Sequence, residues 1–137
     1  MKFLLLVAVL CISGCLAEYN KQQIRKIMDA SRPCYQKLDI STDSDMIERL
    51  AYRKNVTYSK KEVEFMLCFQ QNFGVYDPEG NLRPDAMVEF CMKNPKMDRT
   101  KVTEAINLCV KKCNDLPLLK RAREIYDCFF DSKQAWF

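Results

Sequence analysis

The sequence predicts an all-α fold of six short helices, and three observations carry that reading. Apolar residues recur at steps of three and four along most of the chain, the spacing of one helix face. Glycine is scarce, three in 137 residues, against five prolines. No segment alternates apolar and polar residues as a half-buried strand does.

The elements follow in order. Ile24, Ile27 and Met28 share one face of a first helix that Pro33 is expected to end. Thr42, with Asp45 three residues later, reads as a capping box ahead of Met46, Ile47 and Leu50, the buried stripe of a second helix. Ser59 and Glu62 form another box, and Val63, Met66, Leu67 and Phe73 continue at helical spacing to Gly74, a left-handed stop. The segment "VYDPEGNLRP" is a polar turn. Asp77, Glu79 and Asn81 alternate like calcium ligands, but the glycine such a loop needs would fall at Leu82. Pro84 opens a fourth helix at its first position, and Pro95 closes it. A fifth covers 98–113, with Val102, Ala105, Ile106, Cys109, Val110 and Cys113 on its apolar face. Asp115 is expected to cap a sixth, along which Leu118, Ala122, Ile125 and Phe129 recur.

Ahead of these helices, residues 1–17 read as a secretory signal peptide. Lys2 is followed by an apolar run from Phe3 to Ile12, then small residues at Cys15 and Ala17 before a cut ahead of Glu18. The rival reading is a lipoprotein box, "ISGC", which would make Cys15 a lipidated terminus. Residues 18–137 then form one domain in a secreted, extracellular chain, and no later apolar run approaches the roughly 18 residues of a membrane span. Without Lys2 the chain carries 21 basic and 18 acidic side chains, interspersed as on solvated helix faces rather than gathered into a nucleic-acid stripe.

Six cysteines remain in that domain, at 34, 68, 91, 109, 113 and 128, and an even count in a small secreted chain reads as a disulfide framework. There is no histidine, which removes Cys2His2 zinc sites and every catalytic constellation built on histidine. No Cys-x-x-Cys pair starts a four-cysteine metal site, no cofactor motif occurs, and no nucleophile stands with a base. Cys109 and Cys113 lie one turn apart on one helix face, open to reading as a metal clamp, a redox pair or two ends of different cross-links, and the missing histidine and Cys-x-x-Cys pair count against the metal.

The cysteine spacing resembles that of the insect odorant-binding proteins, with six cysteines and six helices around an apolar internal cavity. In that family three residues separate the second and third cysteines, and eight separate the fifth and sixth. With Cys68 as the third, supported by "CFQQNFG" and the following "VYDPEGNL", the second place falls on Glu64, and Cys34 is a fitting first. Cys109 suits the fourth place and Cys128, in "REIYDCFF", the sixth, so the fifth falls on Leu119. The two vacated places are those bonded to each other in the family, so the chain resembles its reduced-cysteine branch. The resemblance implies bonds Cys34–Cys68 and Cys109–Cys128, each contributing about 3–4 kcal/mol by chain entropy. Cys91 and Cys113 are surplus. They are either bonded or buried thiols, and the bond is disfavoured because Cys113 lies about 22 Å along its helix from the turn near Cys91.

The same resemblance implies a carrier, not an enzyme, whose partner is a small hydrophobic ligand such as an odorant, pheromone or fatty acid. The candidate ligand-binding residues are Met66, Phe69, Phe73, Met87, Phe90, Ile106, Val110 and Phe129, with Trp136 and Phe137 at a cavity mouth. Apolar walls and adaptable methionines suit such a role. The alternative is a salivary, seminal or glandular interaction protein on the same scaffold. Glu64, standing where a buried sulfur would be, must reach solvent or a lysine. Asn55, in "NVT", is a glycosylation sequon.

Overall fold

The computed structural model describes residues 19–133, and these form six helices with no strand beyond an isolated bridge between Tyr76 and Leu82. They are α1 (Lys21–Lys37), α2 (Met46–Tyr52), α3 (Lys60–Phe73), α4 (Pro84–Cys91), α5 (Arg99–Cys113) and α6 (Leu118–Ser132). Helix α1 packs on α3, α3 on α6, α6 on α5 and α5 on α4, while the short α2 lies against α1.

Two disulfides fasten this order. Cys34–Cys68 ties α1 to α3 and Cys109–Cys128 ties α5 to α6, with Cα separations of 5.9 and 5.7 Å. Both are the bonds the family resemblance implied. Cys91 and Cys113 are buried thiols rather than a third bond. Burial pushes the Cys91 thiol up to about 12 and raises that of Cys113, which suits inert core residues.

The strongest local signals hold. Ser59 Oγ accepts from the Glu62 amide while Glu62 returns to the Ser59 amide, and α3 stops at Gly74 with φ +91°. Pro84 is the first residue of α4, and the Asp98 side chain caps α5 through the Lys101 amide at 3.0 Å. Asp77 Oδ1 accepts from the amides of Glu79 and Asn81, which closes the polar turn.

Several boundaries differ from expectation. Helix α1 runs through Pro33 to Lys37. Pro33 sits on the exposed face, so the Asp29 carbonyl it leaves without an amide partner lies toward solvent, and Cys34–Cys68 holds the next turn against α3. The buried face of α1 is also rotated. Gln23 is buried, its Nε2 donating to Phe90 O at 3.0 Å, while Ile24 is 41% exposed. Helix α2 starts after Asp45 with no side-chain cap of its own, so the Thr42 box does not form; Ser44 Oγ instead accepts from the Met46 amide. Pro117, not Asp115, precedes α6, and Leu118 is exposed instead of joining that helix's apolar stripe. Helix α4 ends at Cys91, four residues short of Pro95. Glu64 is half-buried with Lys60 Nζ 3.9 Å away, and Leu119 is largely exposed.

Candidate functional site

The inward faces of five helices leave a cavity of about 110 Å³ at the centre of the bundle. Helix α3 contributes the largest share of the wall, because Phe65, Met66, Phe69, Gln70 and Phe73 recur on one side of it. Helix α6 faces it with Ile125, Tyr126, Phe129 and Phe130, and α4 closes one end with Met87 and Phe90. Ile27 and Ser31 of α1, Ile47, Leu50 and Ala51 of α2, and Tyr19 and Val75 from the connecting segments complete the lining.

Aromatic side chains form much of this surface. Phe73 meets the edge of Phe90 at 4.9 Å between centroids and lies 5.2 Å from Phe69, while Phe130 sits 4.9 Å from Tyr126 and 5.7 Å from Phe129. Edge and tilted contacts of this kind hold rings in place without filling the space between the groups. The polar atoms are few and mostly engaged. Gln70 Nε2 donates to Ala122 O at 2.8 Å, its Oε1 accepts from the Tyr76 hydroxyl at 2.8 Å, and Tyr126 donates to Leu50 O at 2.6 Å. Burial raises the Tyr126 and Tyr76 hydroxyls above their ordinary range, Tyr76 to about 12, so both stay neutral donors.

Of the residues singled out from the sequence, Met66, Phe69, Phe73, Met87, Phe90 and Phe129 come together on this wall. Ile106 and Val110 do not. They belong to α5, which packs outside α4 and α6 and contributes nothing to the lining; Ile106 is fully buried and Val110 packs against the same core. Trp136 and Phe137 lie outside the described residues. The sequence reading missed Phe65, Phe130 and Tyr19. Phe65 is off the Val63–Met66–Leu67 stripe by which α3 was oriented, and Phe130 follows Phe129, so both become visible only once the register of α3 against α6 is known.

Two further features border the cavity. Lys133 is buried, its Nζ donating to the Tyr19 hydroxyl at 2.9 Å and standing 4.2 Å from the centre of the Phe130 ring. Outside α2 an open groove of about 500 Å³ runs between α1 and α2, with Ile24, Met28 and Tyr52 on its floor and Glu48, Arg49, Lys54 and Asn55 around its rim. Tyr19, Ile27, Ile47 and Ala51 line both spaces, so the wall between groove and cavity is one side chain thick.

Among the described residues no cluster of three or more His, Cys, Asp or Glu side chains suits a metal ion. None of their helices is long and apolar enough to cross a membrane.

Comparison with known proteins agrees with this architecture. No curated protein matches the sequence. Among solved structures, a fatty acid binding protein, OBP56a, from the oral disk of the blowfly Phormia regina superposes with a TM-score of 0.60 at 15% identity, over 85% of this chain and 96% of that one. At that identity the likeness is one of fold. The model of the PBP/GOBP family matches residues 16–132, a span that takes in all six helices and both disulfides. The chain therefore belongs to the PBP/GOBP family, the odorant-binding proteins its cysteine spacing resembles, which are binding proteins and not enzymes.

Proposed function

We propose that this chain is a secreted carrier that takes up small hydrophobic molecules (odorant, pheromone or fatty-acid-like) in its central cavity and holds them against Met66, Phe69, Phe73, Met87, Phe90 and Phe129. Residues 1–17 serve as its signal peptide and residues 18–137 as the mature domain. The observation that carries the reading is the cavity itself, walled by five helices and lined by apolar and aromatic side chains with few polar anchors. Membership of a family of binding proteins supports it, as does a fold shared with a protein described as fatty acid binding.

The volume bounds what enters without rearrangement. A space near 110 Å³ suits a single ring or a short chain, by comparison with the roughly 150 Å³ engineered cavity that admits benzene. A longer chain needs room from the neighbouring groove.

Displacement of an environment-sensitive fluorescent probe by a series of volatile and fatty compounds tests the reading. Displacement should be saturable and should weaken at least about tenfold in Met87→Trp, whose larger side chain occupies the space at an overpacking cost of about 1–3 kcal/mol. A probe that binds wild type and Met87→Trp alike, with no competitor displacing it, would place binding elsewhere and remove the carrier reading.

A further inference from the structure

Four polar side chains reach the cavity wall: Tyr19, Ser31, Gln70 and Tyr126. Three of them are engaged. The Tyr19 hydroxyl accepts from Lys133, Gln70 is held at both ends of its amide, and Tyr126 donates to Leu50 O. Ser31 differs. Only 1% of it is exposed, it lines the cavity, and it makes no side-chain hydrogen bond with any described residue. A serine inside a helix ordinarily satisfies its hydroxyl on the carbonyl one turn back, here that of Ile27. That bond is not made. A hydroxyl that lines a cavity and is held by no protein group is free to meet a guest there, and a guest that cannot pair with it forfeits a hydrogen bond.

From this we infer that Ser31 Oγ is the contact point for a ligand oxygen, and that the cavity prefers compact apolar molecules carrying one hydroxyl or carbonyl group over the matching hydrocarbons. The chemistry fits a single neutral oxygen. A serine hydroxyl donates to a carbonyl and either donates to or accepts from an alcohol, while the rest of the wall offers the ligand apolar contact. The neighbouring polar groups frame the site without competing for it, because their bonds run to protein atoms. The position is also well held: Ser31 lies one turn before Cys34, where the disulfide to Cys68 and the bond from Asn72 Nδ2 to Ala30 O at 3.0 Å fix α1 against α3.

The inference rests on the carrier reading, so its test must separate the two. p-Cresol and p-xylene are single-ring compounds that differ by a hydroxyl in place of a methyl group. Their dissociation constants are measured by NMR titration on wild type, Ser31→Ala and Ser31→Cys, and the cresol-to-xylene affinity ratio is compared between proteins, which cancels the different solubilities of the two compounds. The ratio should fall about three- to tenfold in Ser31→Ala, the value of one neutral hydrogen bond, and by less in Ser31→Cys, whose thiol is a weak donor. Both compounds binding with a ratio that stays the same in all three proteins would overturn the Ser31 assignment and leave the carrier intact. Neither compound binding to any of the three would overturn both.

Discussion

Glu62 is a carboxylate with 3% of its surface exposed, held by Arg49 Nη1 at 2.5 Å and by the Thr57 amide and hydroxyl at 2.8 and 2.9 Å. Burial pushes its pKa up, but the hydrogen bonds from Arg49, Thr57 and Ser59 outweigh that cost and leave it below its ordinary value of 4.5. A depressed folded-state value means that Glu62 adds stability above the unfolded-state pKa and loses it as pH falls through the folded-state one. The melting temperature should therefore be level down to about pH 5 and decline below about 4.5. Glu62→Gln should cost about 1.5–3 kcal/mol at pH 7 and flatten that acid decline, as urea melts at pH 7 and pH 3.5 would show. A variant as acid-sensitive as the parent would move the effect to another carboxylate. Half of this was legible beforehand. The Ser59–Glu62 box is a local motif, whereas the Arg49 partner comes from another helix and leaves no trace in spacing.

Helix α2 is seven residues long, too short to persist alone, and its environment holds it. Arg49, midway along it, reaches Glu62 of α3, while Arg53, just past its C-terminus, reaches Asp127 and Asp131 of α6 at 3.1 and 2.6 Å. Tyr35 of α1 completes the attachment, accepting from the Ile47 amide at 3.2 Å and donating to Ser44 O at 3.0 Å. Helix existence was readable throughout, because apolar steps of three and four need no partner to be seen. Boundaries failed where tertiary contacts overruled local chemistry, and Pro33 is the plainest case. Its cost to α1 is met by the disulfide one residue on, so Pro33→Ala should raise stability by about 1–2 kcal/mol in thermal or urea unfolding, the restored helical bond exceeding the entropy regained by the unfolded chain. A destabilised variant would mean that the proline shapes α1 for its contact with α3. The vacated disulfide is testable at the same scale. Glu64→Cys with Leu119→Cys should close on oxidation and add up to about 4 kcal/mol, whereas two persistent free thiols would overturn the assignment of those places.

Across the whole molecule, the family resemblance foretold both cross-links, and with them two of the helix pairs that meet. It could not orient them. That is why Ile106 and Val110, apolar and correctly spaced, were expected on a cavity that α5 never reaches. It is also why Ser31, an unremarkable serine in the sequence, acquires meaning only once the wall around it is closed. The chain contains no histidine, so nothing with an ordinary pKa near 6 sits in or around the cavity, and affinity should be nearly flat between pH 7 and 5.5. A steep loss near pH 6 in a titration series would point to a switch in another group. The single layer formed by Ile27, Ile47, Ala51 and Tyr19 has a separate consequence. The partition belongs in part to a short helix held through Arg49 and Arg53, so the upper size limit for cargo is set by how far that helix yields and not by the cavity volume at rest. Exchange rates across a homologous series should then break at one chain length, and Arg53→Ala should shift the break toward longer molecules.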